Sequence, residues 1–151
     1  MESGFFPIFI PMQDAKVLVI GGGKIALRRV RTLASFGASV TVIAPEILPE
    51  IQPFSAECLC RRADETDVTP DYRLVIAAAS DRETNRKLGC RARALGIPVS
   101  VADAKDESTF YFPAIIKGQG VVAGLISENG KDHRLAAEKA AILRQALGEQ
   151  D

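Results

Sequence analysis

The sequence predicts a doubly wound α/β fold built on a parallel sheet, and three observations carry that expectation. Short apolar runs recur along the chain at residues 17–20, 39–44, 74–79 and 99–102. Most of them are continuous rather than alternating, as strands buried on both faces require. Segments with helical spacing separate the first run from the second and the third from the fourth, giving the β-α-β order that places helices over a parallel sheet.

Taken in order, Lys16–Ile20 reads as a buried strand that runs into Gly21-Gly22-Gly23. Residues 24–36 read as a helix with Ala26, Val30 and Leu33 turned inward, and Gly37 stops it. Ser39–Ala44 (SVTVIA) is rich in β-branched residues and forms a second strand, ended by Pro45. Residues 50–69 carry the weakest pattern and read as a loop with a short strand near residues 57–61. Residues 74–79 (LVIAAA) form another buried strand, after which Ser80 and Asp81 are both suitable helix caps for a helix to about Leu95. Gly96-Ile97-Pro98 turns the chain into a strand over residues 99–102.

Beyond it, residues 110–116 and 121–126 are two β-prone runs joined by Gly118-Gln119-Gly120, the pattern of a hairpin. A helix over about residues 132–146 follows, with Ala136, Ala140, Leu143 and Leu147 on one stripe that packs against the domain or a partner chain. The expected division is a nucleotide-binding domain over residues 1–112 and a short C-terminal segment of hairpin plus helix over residues 113–151.

Composition narrows the function classes. The chain has 151 residues, of which 47% are hydrophobic and 25% charged, so it can bury a real core. Its formal net charge is zero, so no basic surplus points to nucleic acid. No apolar run approaches the roughly 20 residues that span a bilayer. The start lacks a basic segment before an apolar one, and Pro7 and Pro11 interrupt it, so the expected location is the cytoplasm. Cys58, Cys60 and Cys90 are an odd set and read as free thiols. With His133 as the single histidine, Cys58 and Cys60 leave a metal ligand set incomplete, and no metal site is expected.

Gly21-x-Gly23-x-x-Ala26 follows a strand and opens a helix, the context in which glycines mark a dinucleotide site of the Rossmann type. Gly21 permits the tight turn, Gly23 lets a pyrophosphate approach the backbone, and Ala26 keeps helix and strand close. The alternative is a tight turn that binds nothing. Glu46 is the acid nearest the end of the second strand, where a carboxylate usually holds the adenosine ribose, and no arginine follows that strand to take a 2′-phosphate. This favours NAD over NADP. Lys24, Arg28 and Arg31 share a helical face that reads as either solvated or anion-facing. Asp103 stands at the carboxyl end of a strand expected to be central, on the edge where ligands of open α/β sheets lie. There it is either a turn residue or a proton acceptor beside a nicotinamide.

The segments PIFIPMQDAKVLVIGGGKIALRRVRTLASFGASVTVIAP, LVIAAASDRETNRKLGCRARALGIPVSVADAKDESTFYFPAIIKG and GLISENGK together resemble the N-terminal module of the siroheme synthase family, which comprises precorrin-2 dehydrogenase and sirohydrochlorin ferrochelatase. The shared features include the glycine turn with Arg28, the VTV-x-AP strand end, Asn85 six residues after Ala79, and Asp103 with Phe110 and Pro113. The resemblance implies oxidation of precorrin-2 to sirohydrochlorin with NAD in a homodimer, with iron insertion as a second activity of many members. It implies a catalytic role for Asp103 and nucleotide contacts from Gly21, Gly22, Gly23, Lys24, Ile25, Pro45, Glu46, Ala78, Ala79 and Ser80. The dimer is expected to carry Phe112 and Ile115 at or near its interface; the alternative is a hairpin folded back on its own sheet. The chain departs from the family at Ser100, where asparagine is common, and over residues 127–133, where a Gly-Gly-x-Ser-Pro-like run is usual. Relatives also continue into several further helices, of which one is matched here. An NAD-binding sensor or scaffold without catalysis, or a chelatase alone, are the alternatives.

Overall fold

A computed structural model describes residues 4–148. They form two compact units, one over Ile10–Phe110 and one of residues 4–9 with 111–148.

The first unit is a five-stranded parallel sheet in the order β3-β2-β1-β4-β5. Its strands are β1 (Lys16–Ile20), β2 (Ser39–Ala44), β3 (Glu57–Cys60), β4 (Leu74–Ala77) and β5 (Val99–Val101). Residues 17–20 and 74–77 are fully buried, as the continuous apolar runs require. β1 and β4 lie side by side in the centre, with Val17 opposite Leu74 and Ile20 opposite Ala77. The chain leaves β1 towards one side and returns to build β4 on the other, so the sheet's direction of winding reverses between them. That reversal opens a crevice at the carboxyl ends of the central strands.

Helix α1 (Lys24–Ala34) buries Ala26, Val30 and Leu33 as expected. It stops two residues early because Ser35 caps it and Gly37, at φ +81°, turns the chain so that Ala38 N–H donates to Leu33 O. Between β2 and β3 the connection is a 3₁₀ turn, Pro49–Phe54, not an α-helix. Pro53 has no N–H to donate and halts propagation. The poorly patterned stretch after β3 is ordered by its own charges. Asp64 and Asp67 form a capping box around the 3₁₀ turn Glu65–Asp67. Arg61 grips Asp67 through both carboxylate oxygens, at 2.6 and 2.9 Å, and holds its pKa below the ordinary 3.8. Val68 then enters the core with 1% exposure.

β4 ends at Ala77 rather than at Ala79, because the Asn85 side chain takes over Ala79. Ala79 N–H donates to Asn85 Oδ1 and Asn85 Nδ2 donates to Ala79 O, each at 2.9 Å. Helix α2 (Arg82–Ala94) begins on Asp81, whose carboxylate accepts from Thr84 N–H. β5, expected to be central, is instead an edge strand that pairs only with β4, and its outward N–H groups would lack partners. Thr109 Oγ1 accepts from Val99 N–H at 2.9 Å and Ser108 Oγ from Val101 N–H at 2.8 Å, so two hydroxyls close the edge.

The second unit contains the expected hairpin. β6 (Ala114–Gly118) pairs antiparallel with β7 (Val121–Leu125), Gly118 facing Val121. Gln119 and Gly120 both have positive φ, +48° and +78°, the conformation of a two-residue primed turn. Helix α3 (His133–Ala146) starts on Asp132, whose side chain accepts from Leu135 N–H. Arg144 fastens it to the hairpin by donating to Ile115 O at 2.8 Å. Its packing stripe is only partly covered. Ala136 and Ala140 are buried, whereas Leu143 is 39% exposed within this chain. The divergent residues 127–133 form a tight turn: Asp132 N–H donates to Ser127 Oγ and Lys131 N–H to Asn129 Oδ1. Phe5 meets Tyr111 edge to face at 4.9 Å. Among the described residues no helix is long and apolar enough to cross a membrane. The same residues contain no group of three or more His, Cys, Asp or Glu able to hold a metal ion.

Candidate nucleotide site at the sheet's carboxyl edge

Because all five strands run parallel, the residues singled out by sequence fall on one edge. Gly21, Gly22 and Gly23 follow β1, Pro45 and Glu46 follow β2, Ala78, Ala79 and Ser80 follow β4, and Asp103 lies two residues past β5. Lys24 and Ile25 open α1 and are exposed, Ile25 by 48%.

The three glycines serve different purposes. Gly21 has φ +123°, and a Cβ there would sit 2.1 Å from the carbonyl oxygen of Ala78. A Cβ on Gly22 would sit 2.1 Å from the carbonyl oxygen of Glu46, and Leu48 N–H donates to Gly22 O at 2.9 Å. These two glycines therefore let the loops after β4 and β2 close on the loop after β1. Gly23 has no such reason. Its φ of −91° and ψ of −161° suit any residue, and a Cβ there would meet nothing within 4 Å. The fold does not need a glycine at 23, so the space its missing side chain leaves is available to a ligand.

The start of α1 matches that space electrostatically. α2 and α3 begin on aspartate side chains, whereas α1 begins on Gly23, with no side-chain cap and no acid in its first turn. Its first N–H groups and the positive end of its dipole are left for an anion. The residues present thus fit a dinucleotide: a pyrophosphate against Gly23 and the first turn of α1, and the carboxylate of exposed Glu46 beyond β2 for a ribose.

On the β4–β5 side, Ala102 N–H donates to Ala77 O at 2.9 Å and carries the chain to Asp103. Asp103 does not stand alone. Arg82 Nη1 donates to its Oδ1 at 3.1 Å while Nη2 donates to Glu107 Oε1. Asn85, fully buried, sets the course of residues 78–80 through its two bonds to Ala79.

Sequence reasoning placed Asn85 in a pattern without a role and did not reach Arg82 or Glu107. One signal for Arg82 was present: it is a cation in the first turn of a helix, where the dipole disfavours positive charge, so acids from another segment are needed to hold it. Glu107 carries no comparable mark, since its partner is 25 residues away. The basic row Lys24, Arg28 and Arg31 separates in function. Arg31 lies over the Phe54 ring at 5.4 Å, a cation–π contact within the fold.

Among curated proteins the chain is 43% identical over 145 residues to the "Probable multifunctional siroheme biosynthesis protein HemA" of Ruminiclostridium josui, a match spanning 94% of this chain and 28% of that protein. It is 41% identical over 146 residues to "Siroheme synthase" of Psychrobacter cryohalolentis, spanning 94% of this chain and 27% of that one. The chain thus spans about a quarter of the length of these relatives. Among solved structures, "SirC, precorrin-2 dehydrogenase" superimposes with a TM-score of 0.74 at 23% identity, covering 94% of this chain and 71% of that one, and shares the fold. The family model described as "Putative NAD(P)-binding" matches residues 8–114, which include all the loops at the sheet's carboxyl edge. The chain belongs to that NAD(P)-binding family.

Proposed function

We propose that this chain is the dehydrogenase module of siroheme biosynthesis, oxidising precorrin-2 to sirohydrochlorin with NAD⁺. One observation carries the proposal. Gly23 is unexplained by backbone angle or packing and borders an uncapped helix start, on the same edge as the carboxylate of Asp103. The substrate is taken from the precorrin-2 dehydrogenase of the same fold, and the pathway from the siroheme-synthesis names of the relatives.

NAD⁺, when bound, supplies the hydride acceptor. The chain's own residues do the rest. Gly21 and Gly22 hold the loops after β4 and β2 against the β1 turn, and Gly23 with the first N–H groups of α1 binds the pyrophosphate. Lys24, Ile25, Pro45, Glu46, Ala78, Ala79 and Ser80 complete the nucleotide contacts, Glu46 taking the ribose hydroxyls. Asp103 accepts the proton that the macrocycle releases as it is oxidised. The proposed organisation is a nucleotide-binding domain over residues 1–112 and a dimerisation segment over residues 113–151. The working form is a cytoplasmic homodimer with Phe112 and Ile115 at or near its interface. Exposed apolar side chains in the C-terminal segment, among them Val121 at 50% and Ile142 at 55%, support a covering partner.

The test is anaerobic incubation of the protein with precorrin-2 and NAD⁺, following NADH and the sirohydrochlorin spectrum together. Equimolar appearance of both is expected. NADH absent, with metal insertion into sirohydrochlorin proceeding without NAD⁺, would make the chain a chelatase. Nucleotide binding with neither reaction would make it a binding module.

A further inference from the structure

Arg82 is the first residue of α2, directly after its Asp81 cap. A cation there is disfavoured by the positive end of the helix dipole. The side chain is nonetheless held at both ends of its fork, by Asp103 Oδ1 and by Glu107 Oε1. Glu107 is fixed in turn, its carbonyl oxygen accepting from Arg93 Nη1 at 2.6 Å and its N–H donating to Ala104 O at 3.0 Å. Its second carboxylate oxygen, Oε2, is buried without a hydrogen-bond partner, an unfavourable arrangement in itself.

Stability alone does not account for this cluster. The side chains of Arg82, Asp103 and Glu107 keep 45%, 37% and 27% of their exposure. Ion pairs so open to solvent contribute little, and the helix dipole and the unpartnered oxygen oppose them. Orientation is what the cluster does supply. A guanidinium bonded through two nitrogens has its plane fixed, and that plane determines where Asp103 Oδ1 is held. A lysine, with a single point charge, cannot do this.

We propose that Arg82 is a positioning residue for Asp103, and that Glu107 fixes Arg82 in that task. Arg82 engages Oδ1 and leaves Oδ2 to receive the substrate proton, with Glu107 keeping the guanidinium from turning away. The catalytic side of this inference rests on the dehydrogenase reading above.

Two measurements test it. In steady-state kinetics, Arg82→Ala and Arg82→Lys are expected to lower kcat roughly 10–100-fold, with KM for precorrin-2 and the affinity for NAD⁺ within about twofold of wild type. Glu107→Gln gives a smaller loss of the same kind. In an Asp103→Asn background, Arg82→Ala changes kcat by less than about twofold, since nothing remains to be positioned. A further large loss in that background, or a raised KM, would overturn the proposal and make Arg82 a substrate-binding residue. A lowered Tm with no specific loss of kcat would make it structural. The second measurement needs no turnover. The carbon-13 resonance of the Asp103 carboxyl is expected to move in Arg82→Ala and also in Glu107→Gln, whose side chain bonds Arg82. An unmoved resonance in Glu107→Gln overturns the coupling. If the resonances move as expected but wild-type protein leaves precorrin-2 unoxidised, the dehydrogenase reading has failed and the clamp stands.

Discussion

Gly23 and its two neighbours are expected to separate binding from folding residue by residue. Gly23→Ala and Gly23→Asp are expected to unfold at the wild-type Tm, because the new Cβ meets nothing. Gly23→Asp is expected to abolish NAD⁺ binding in calorimetry, since its carboxylate would take the pyrophosphate's place and repel it. Gly21→Ala should do the reverse and destabilise the protein. Strain at a positive φ alone costs about 1–3 kcal/mol, and the clash with the Ala78 carbonyl adds to it. Unchanged nucleotide affinity in Gly23→Asp would remove the basis for a site at this turn. For Asp103→Asn, the expectation is unchanged NAD⁺ affinity with turnover reduced by about 10²–10⁴. Near-normal turnover would reduce Asp103 to a turn residue.

The elements show where acid weakens the fold. Asp81, the cap of α2, is held below the ordinary carboxylate value by Thr84, and Asp67 is held below it by Arg61. Asp71 is lowered to about 2, first by the Thr69 hydroxyl and then by Lys16. A carboxylate with a depressed folded-state pKa contributes stability above its unfolded value and loses it as pH falls through the folded one. Denaturant midpoints are therefore expected to hold above about pH 4 and to fall between there and about pH 2, with Asp67→Asn and Asp81→Asn each flattening that slope. A midpoint independent of pH over this window would contradict these bonds. The strands and both major helices of the nucleotide-binding unit were legible in the sequence because apolar runs and capping residues act locally. The early end of β4 was not, since it depends on Asn85 reaching back six residues to claim Ala79. Nor was the closure of the β5 edge, which requires the hydroxyls of Ser108 and Thr109 to stand in for a strand. The expected stripe on α3 is left open at Leu143 within this chain, because periodicity identifies an apolar face without saying what covers it. At the site, the glycine turn and Asp103 were readable from position along the strands, whereas the Arg82–Glu107 pair depends on contacts distant in sequence.

For the whole molecule, Glu46 after β2, with no arginine in that turn, is expected to favour NAD⁺ over NADP⁺ by tenfold or more, about 1.4 kcal/mol. Equal or tighter NADP⁺ binding in calorimetry would contradict this. Light scattering at micromolar concentration is expected to give twice the 16.2 kDa chain mass. A folded, NAD-bound monomer would defeat the dimer. The central claim is that one sheet edge both binds the nucleotide and removes a proton from the substrate. Its most direct measurement is NADH formed from precorrin-2 by wild type and by Asp103→Asn, each first shown by calorimetry to bind NAD⁺ equally. Turnover by wild type with loss in the variant is the predicted result; equal turnover by both, or none by nucleotide-bound wild type, would contradict it.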